Sequence, residues 1–472
     1  MKKVNLSKLL LASAFLAAPA AAQDFDSLPS VKDIVSQAEP AGVPAPLPAL
    51  PRDARGTKEW TIMVFMNGKN NLSEYVIDDM NEMEKYGPTE NINIITQAAR
   101  MKYTAPSYPS YPGGGYDDYP YGGQVVPHPG WPNPYWNAPP IMGRDGATAA
   151  AAAKDASTDW SGVRRYLVTA DGDSASLGST MLSDMGTVDM GDYKQLAAFG
   201  KWVKANYPAK KYMLIVWNHG SGWEMKGLDS FPAVKGISYD DETNHNIDTV
   251  ELGQAIREMG GVDIYASDAC LMQMAEVVYE LRNAAKLVVG SEENEPGDGW
   301  GYHEFLSRVH SNQGDLTPEV MAAAAVQGYK AFYAPSSQAT TQSAVKTAGI
   351  VKFRQLLDQW VDLVMQEDKA MLIEARGTAV SFGGAGSKDL THFMELVHAN
   401  AKSGMLKDKT VQVMNQFYDR VLLDNGTTGP RFDKAYGMGI YLPGYGFDAK
   451  YKKLSWAADG KWDEFMEWIT AE

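Results

Sequence analysis

The chain has 472 residues, 44% of them hydrophobic and 21% charged, enough to bury a large core in one large domain or in more than one. A formal net charge of −15 argues against nucleic acid or an anionic membrane as a partner. A single cysteine, Cys270, excludes an internal disulfide, and the seven histidines show no close spacing with it that would hold zinc.

In chain order, Lys2, Lys3 and Lys8 precede an apolar run from Leu9 to Ala18 and the small residues Ala20-Ala21-Ala22. This is the pattern of a secretory leader over 1–22, with an apolar run too short to span a membrane. A periplasmic or extracellular protein is expected, with no membrane span once the leader is removed. Residues 23–57 are rich in Pro and Ala and read as a linker or pro-segment. A folded domain is expected over 58–472. It opens with the strand "WTIMVFMNG", a helix from Leu72 to Tyr86 and the strand "NINIITQAA". At about 103–153 a Tyr/Pro/Gly/Ala-rich stretch interrupts it, with too much proline and glycine for regular structure and aromatics suited to a carbohydrate or another surface.

Order returns with the strand "RRYLVTAD" and the amphipathic helix "GDYKQLAAFGKWVKANYP". "YMLIVWNHG" is a buried strand ending at His219-Gly220, and "TVELGQAIREMGG" a helix closed by Gly260-Gly261. "VDIYASDAC" is a strand ending at Cys270, followed by a helix "LMQMAEVVYELR". "KLVVGSEENEPGDGWGY" is a further strand with an acidic loop. Beyond Ser307 the pattern is largely helical, with "GTAVSFGG" and "AYGMGIYLPG" as late strands that extend the sheet or build a second subdomain. Strands alternating with helices define an α/β class with a mostly parallel sheet covered on both faces.

Ligands in such sheets collect beyond the carboxyl ends of the strands, where two strands deliver His219 and Cys270, 51 residues apart. A thiolate is a nucleophile, and a neighbouring imidazole can activate it and later protonate a leaving amine. With Cys270 at the expected start of a helix, the helix dipole would favour the thiolate. The backbone N–H groups of Gly220 and Cys270 could face a developing oxyanion, and glycine at 220 would let a substrate backbone approach. Against this, a lone buried cysteine is often packing and a His-Gly pair often a turn. An esterase using Ser221 or Ser267 is disfavoured, because neither lies in a G-x-S-x-G elbow.

The blocks "MGDYKQLAAFGKWVKANYPAKKYMLIVWNHGSGW" and "VDIYASDACLMQMAEVVYELRNAAKLVVGSEENEPGDGWGY", with "WTIMVFMNGKNNL" and "AYGMGIYLPG", resemble the clostripain family of cysteine peptidases, relatives of caspases, legumains and gingipains. The resemblance implies a caspase-like fold, His219 and Cys270 as a catalytic dyad, a thioester acyl-enzyme and cleavage after Arg or Lys in protein or peptide substrates. It places Asp268, and less firmly Asp298, in the pocket for the basic side chain. From the residues alone Asp268 serves equally as a helix N-cap, and Asp298 as a turn residue. It also implies self-processing between histidine and cysteine, where Lys226 and Lys235 stand. Acids in "YDDETNHN" and "SEENEPGD" offer oxygen ligands to calcium. Lys69 and Lys346 stand where the family usually has acids, which argues against a calcium requirement, and no other cofactor is expected. The competing reading is a non-catalytic binding protein on the same fold.

Overall fold

The computed structural model describes residues 57–102, 158–223, 236–383 and 386–471. The expected leader, all but the last residue of the linker, the aromatic insertion, and Lys226 and Lys235 lie outside the described residues.

The apolar runs become the centre of a nine-stranded sheet. Five parallel strands lie in the order β9 (Ala285–Gly290), β8 (Val262–Asp268), β5 (Ala209–Trp217), β1 (Lys58–Gly68) and β2 (Ile92–Arg100). Antiparallel pairing extends both edges. β10 (Thr340–Lys346) and β12 (Leu422–Thr428) lie beyond β9, and β3 (Gly162–Leu167) and β4 (Thr180–Gly186) beyond β2. Two small antiparallel sheets are separate: the hairpin of β6 (Ile237–Asp240) with β7 (His245–Ile247), and β11 (Ser387–Asp389) paired with the sequence-distant β13 (Gly439–Tyr441).

Side chains alternate between the two faces of each central strand, and both faces are buried. Ile62, Val64 and Met66 share one core with Met213, Ile215 and Ile264, covered by α1 (Tyr75–Glu84), α5 (Tyr302–Ser311) and α6 (Pro318–Tyr333). Met63 and Phe65 share the other with Leu214, Val216 and Tyr265, under α2 (Tyr193–Asn206), α3 (Thr249–Glu258), α4 (Ala275–Glu280) and α7 (Ile350–Val364). That second layer thickens through α8 (Lys369–Thr378), α9 (Leu390–Asn400), α10 (Gly404–Gln416), α11 (Ser455–Asp459) and α12 (Trp462–Thr470), whose Leu372, Phe393, Leu406, Trp456 and Phe465 join the same core.

Local chemistry accounts for the helix ends. Asp192 caps α2, accepting from the Lys194 amide, and Asp248 forms a capping box with Glu251 at the start of α3. Gly260 and Gly261, at φ +88° and +73°, end the α3 segment in a conformation that disfavours side chains.

Two expectations are corrected and a third is narrowed. The helix expected from Leu271 starts only at Ala275. Leu271 lies at φ +63°, and the Leu271 and Gln273 amides donate to Glu293 and Ser291 carbonyls, so the segment is tied to the loop after β9. "GTAVSFGG" is not a strand. α8 runs into it to Thr378, and beyond the helix Ser381 makes only an isolated bridge to Lys388. Of the two alternatives for "AYGMGIYLPG", extension of the main sheet does not occur: the segment yields β13, paired with β11 in a separate two-stranded sheet. The C-terminal region is largely helical as expected, but it also supplies β10 and β12. β10 reads "TTQSAVK", polar yet buried, because its hydroxyls find partners: Ser343 donates to the Gly437 carbonyl at 2.6 Å, and Thr341 meets Ser291 at 2.9 Å.

Candidate active site

Strands β5 and β8 are neighbours, and Trp217 pairs with Asp268 at their carboxyl ends. His219 and Cys270 each lie two residues beyond that pair, so both leave the sheet at the same level and on the same edge. The two turns touch. A Cβ built on Gly220 would stand 2.3 Å from the Cys270 carbonyl oxygen, so glycine is required here by the adjoining turn, whatever a substrate requires. Gly220 also bridges to Ile237, which ties the histidine loop to β6.

His219 is half-buried, and its Nε2 lies 2.7 Å from Asn71 Oδ1. An amide oxygen only accepts, so Nε2 carries the proton and Nδ1 holds the lone pair of the neutral ring. Asparagines brace the surrounding loops. Asn70 and Asn67 both donate to the Tyr239 carbonyl at 2.9 Å, and the Tyr239 amide donates to Asn218 at 2.7 Å. Sequence reasoning missed Asn71. Its signal was the run Asn67–Asn71, rich in polar residues, directly after the apolar stretch Ile62–Met66.

Cys270 is held by the acidic loop. The Glu295 amide donates to Sγ at 3.3 Å, and the Glu295 carbonyl lies 3.9 Å from the same sulfur. With α4 starting five residues later, no helix terminus polarises the thiol, and the expected dipole contribution is withdrawn. Burial, reinforced by the Glu295 and Glu293 carboxyls, pushes the Cys270 thiol up to about 12. Burial pushes the His219 imidazole down to about 4. Each charged form is disfavoured, so the resting pair is a neutral thiol and a neutral imidazole.

Asp268 is not a helix cap. It is buried, accepts from the Trp300 amide at 3.2 Å and the Tyr302 hydroxyl at 2.9 Å, and burial raises its carboxyl to about 6. Asp79 of α1, which accepts from the Trp217 indole at 2.6 Å, is raised well above the usual carboxylate range by burial and by Asp268. Glu295 is raised likewise, and for the same two reasons. Asp298 is exposed in the turn closed by the Gly299 amide on the Pro296 carbonyl, and its charge reaches Tyr75 and Tyr333 at the rim of this acidic region.

Lys69 lies beyond the end of β1, fully buried. Its Nζ stands 2.7 Å from Glu242 Oε2 and 3.5 Å from Asp240 Oδ2, and donates to the Val188 carbonyl at 2.7 Å. Part of the "YDDETNHN" acid set considered for calcium is therefore already matched by an ammonium. Among the described residues, no three His, Cys, Asp or Glu side chains converge on a point that would hold a metal ion.

An imidazole and a thiol carried by adjacent parallel strands to one edge of a helix-covered sheet define the class of caspase-like cysteine peptidase folds. The clostripain family profile matches residues 64–468, and the chain belongs to that family of cysteine peptidases. It is 27% identical over 280 residues to clostripain of Hathewaya histolytica, a match spanning 54% of this chain and 44% of that protein. A secreted C11 cysteine protease from Bacteroides thetaiotaomicron, solved with an irreversible peptide inhibitor, superposes with a TM-score of 0.58 at 15% identity, over 86% of this chain and 99% of that one. An inactive zymogen C11 protease from Parabacteroides distasonis gives 0.56 at 15% identity, over 86% and 98%. At these identities the two structures establish the shared fold. No helix among the described residues is long and apolar enough to cross a membrane.

Proposed function

We propose that this protein is a secreted cysteine endopeptidase that hydrolyses peptide bonds after Arg or Lys, with Cys270 as nucleophile and His219 as its acid–base partner. The observation that supports the reading is the register: Trp217 pairs with Asp268 on neighbouring strands, and His219 and Cys270 each follow two residues beyond that pair. Sγ attacks the scissile carbonyl as its proton passes to His219 Nδ1. The oxyanion faces the backbone N–H groups of Cys270 and Gly220. Collapse expels the amine, which takes the proton from His219 and leaves a thioester. Water then attacks the thioester, giving a proton to His219, which returns it to the departing sulfur. Because the resting pair is neutral, deprotonation accompanies attack rather than preceding it.

The preference for a basic side chain rests on the buried carboxyls of Asp268 and Asp79, with Asp298 at the rim. A cation entering a poorly solvated acidic site gains Coulomb energy that an apolar or acidic side chain cannot. Digestion of a mixed peptide library by the mature protein tests this. Cleavage confined to bonds after Arg or Lys, absent in Cys270→Ala, is the expected result. Cleavage after acidic or apolar residues, or an undiminished Cys270→Ala variant, refutes it.

Asn71 acts as a positioning residue by holding the His219 tautomer. Asn71→Ala is expected to lower kcat about tenfold to a hundredfold with little change in KM, since it alters orientation rather than binding. Asn71→Asp, which keeps the acceptor, should recover part of the loss; a KM effect alone would point elsewhere.

Self-processing after Lys226 or Lys235 follows from the same specificity, and the Parabacteroides distasonis relative was solved as a zymogen. On a denaturing gel the active protein should separate into two fragments while Cys270→Ala stays whole. Full-length chains in both lanes would end this proposal. No metal is assigned a role in the reaction.

A further inference from the structure

The acidic loop does two jobs at once. The backbone of Glu295 brackets the Cys270 sulfur, with the amide at 3.3 Å and the carbonyl at 3.9 Å. Its side chain turns to the other side, toward Asp268. Both carboxyl oxygens are sealed from solvent, and neither makes a hydrogen bond of good geometry among the described residues, although Asp268, the Ala269 backbone amide and the Gln342 amide lie close enough to shift its titration. The Gln342 amide is itself without such a bond on either atom. Buried polar groups ordinarily make well-formed hydrogen bonds, so a carboxyl and an amide that lack them beside the Cys270 thiol point to a polar group that arrives from outside.

The charge of the surroundings says which kind. Asp268 at the end of β8 lies against Glu295. Asp268 in turn interacts with Asp79 and Glu82 on α1, and Asp298 of the Glu295 loop acts on the neighbouring Tyr333. Tyr302 on α5, with Tyr329 and Tyr333 on α6, completes the ring. His303 has its Nδ1 3.2 Å from Glu82 Oε2 and so answers that carboxylate. Carboxyls gathered in a dry site retain protons until a cation enters.

We propose that Glu295 is a specificity-determining carboxylate for the substrate's basic side chain, acting with Asp268, and that the pocket releases a proton when that side chain binds. The assignment rests on the proposed cleavage after Arg or Lys. The exchange balances: one carboxylic acid loses its proton to the buffer, and the incoming guanidinium or ammonium replaces that proton as the positive partner of the new carboxylate. The raised carboxyls of Asp268 and Glu295 agree with this. Affinity for basic substrates should therefore rise with pH as the pair becomes easier to ionise.

The test is calorimetric titration of the wild-type protein with benzamidine near the Asp268 titration, at about pH 6, in two buffers of different ionisation enthalpy. Wild type is expected to release protons on binding. Glu295→Gln, isosteric with the protonated acid and so compatible with the fold, is expected to bind at least about tenfold more weakly and to lose most of the proton release. Glu295→Asp keeps the acid, one methylene shorter, and should retain the release with weakened binding. A Glu295→Gln protein that binds and releases protons like wild type overturns the assignment while leaving basic specificity intact. A wild-type protein that neither binds benzamidine nor cleaves after Arg or Lys overturns both.

Discussion

Replacing Cys270 by Ala is expected to lower kcat/KM for a basic peptide by at least about four orders of magnitude, because the nucleophile has no substitute among the side chains around it. His219→Ala is expected to cost a comparable factor. The double variant should be no worse than either single one, since the two groups act as a unit and removing one disables the other. The measurement is steady-state cleavage of one Arg peptide by all four proteins. A structural role would look different. Cys270 packs at the edge of a small cluster of Leu271, Phe382, Phe432 and Ala435, where losing one sulfur atom is a minor packing change. Cys270→Ala should therefore melt close to wild type. Additive losses in the double variant, or a large fall in stability with activity preserved, would remove the thiol–imidazole pair as the centre of the reaction.

The second large effect concerns stability. Lys69→Met is expected to destabilise the fold by about 3–5 kcal/mol, the usual penalty for removing one partner of a buried ion pair. Lys69 and Asp240 are both completely buried, and Asp240 is further fixed by the Met190 amide at 2.9 Å and the Glu242 amide at 3.0 Å. Without the ammonium, the Asp240 charge is left in a dry site. Adding Asp240→Asn and Glu242→Gln removes that charge and should recover much of the loss, as seen by thermal denaturation of the three proteins. Because Lys69 lies two residues before Asn71, activity should fall with the fold and return with it. Wild-type activity is expected to survive chelation by EDTA, since an ammonium already serves these carboxylates. A Lys69→Met protein as stable as wild type would show that the pair contributes nothing.

How much of this was legible beforehand varied with the physics. The central strands announced themselves, because a strand buried on both faces must be largely apolar, and "IMVFM" and "MLIVW" are. β10 did not, because "TTQSAV" is polar, and only its partners on β9 and β12 and the hydroxyl pairs across them make burial affordable. The same distinction runs through the site. His219 and Cys270 could be proposed from their positions after buried strands. The contacts of Asn71 and Glu295 with this pair could not, since each joins residues distant in sequence. The helix expected at Cys270 failed for a related reason. The apolar spacing Leu271, Met274, Val277, Val278 is helical, yet hydrogen bonds to the loop after β9 hold Leu271 left-handed.

By itself the sequence determined the α/β layering, the strands that end at the imidazole and the thiol, and family membership, because these depend on local hydrophobic pattern and on residue identity along continuous segments. Only the tertiary structure decided that those two strands are neighbours in register, that Asp268 faces a buried ring of acids rather than capping a helix, and that Lys69 lies within an acidic cluster. Those outcomes are set by hydrogen bonding and desolvation between segments far apart in the chain, which no local pattern encodes.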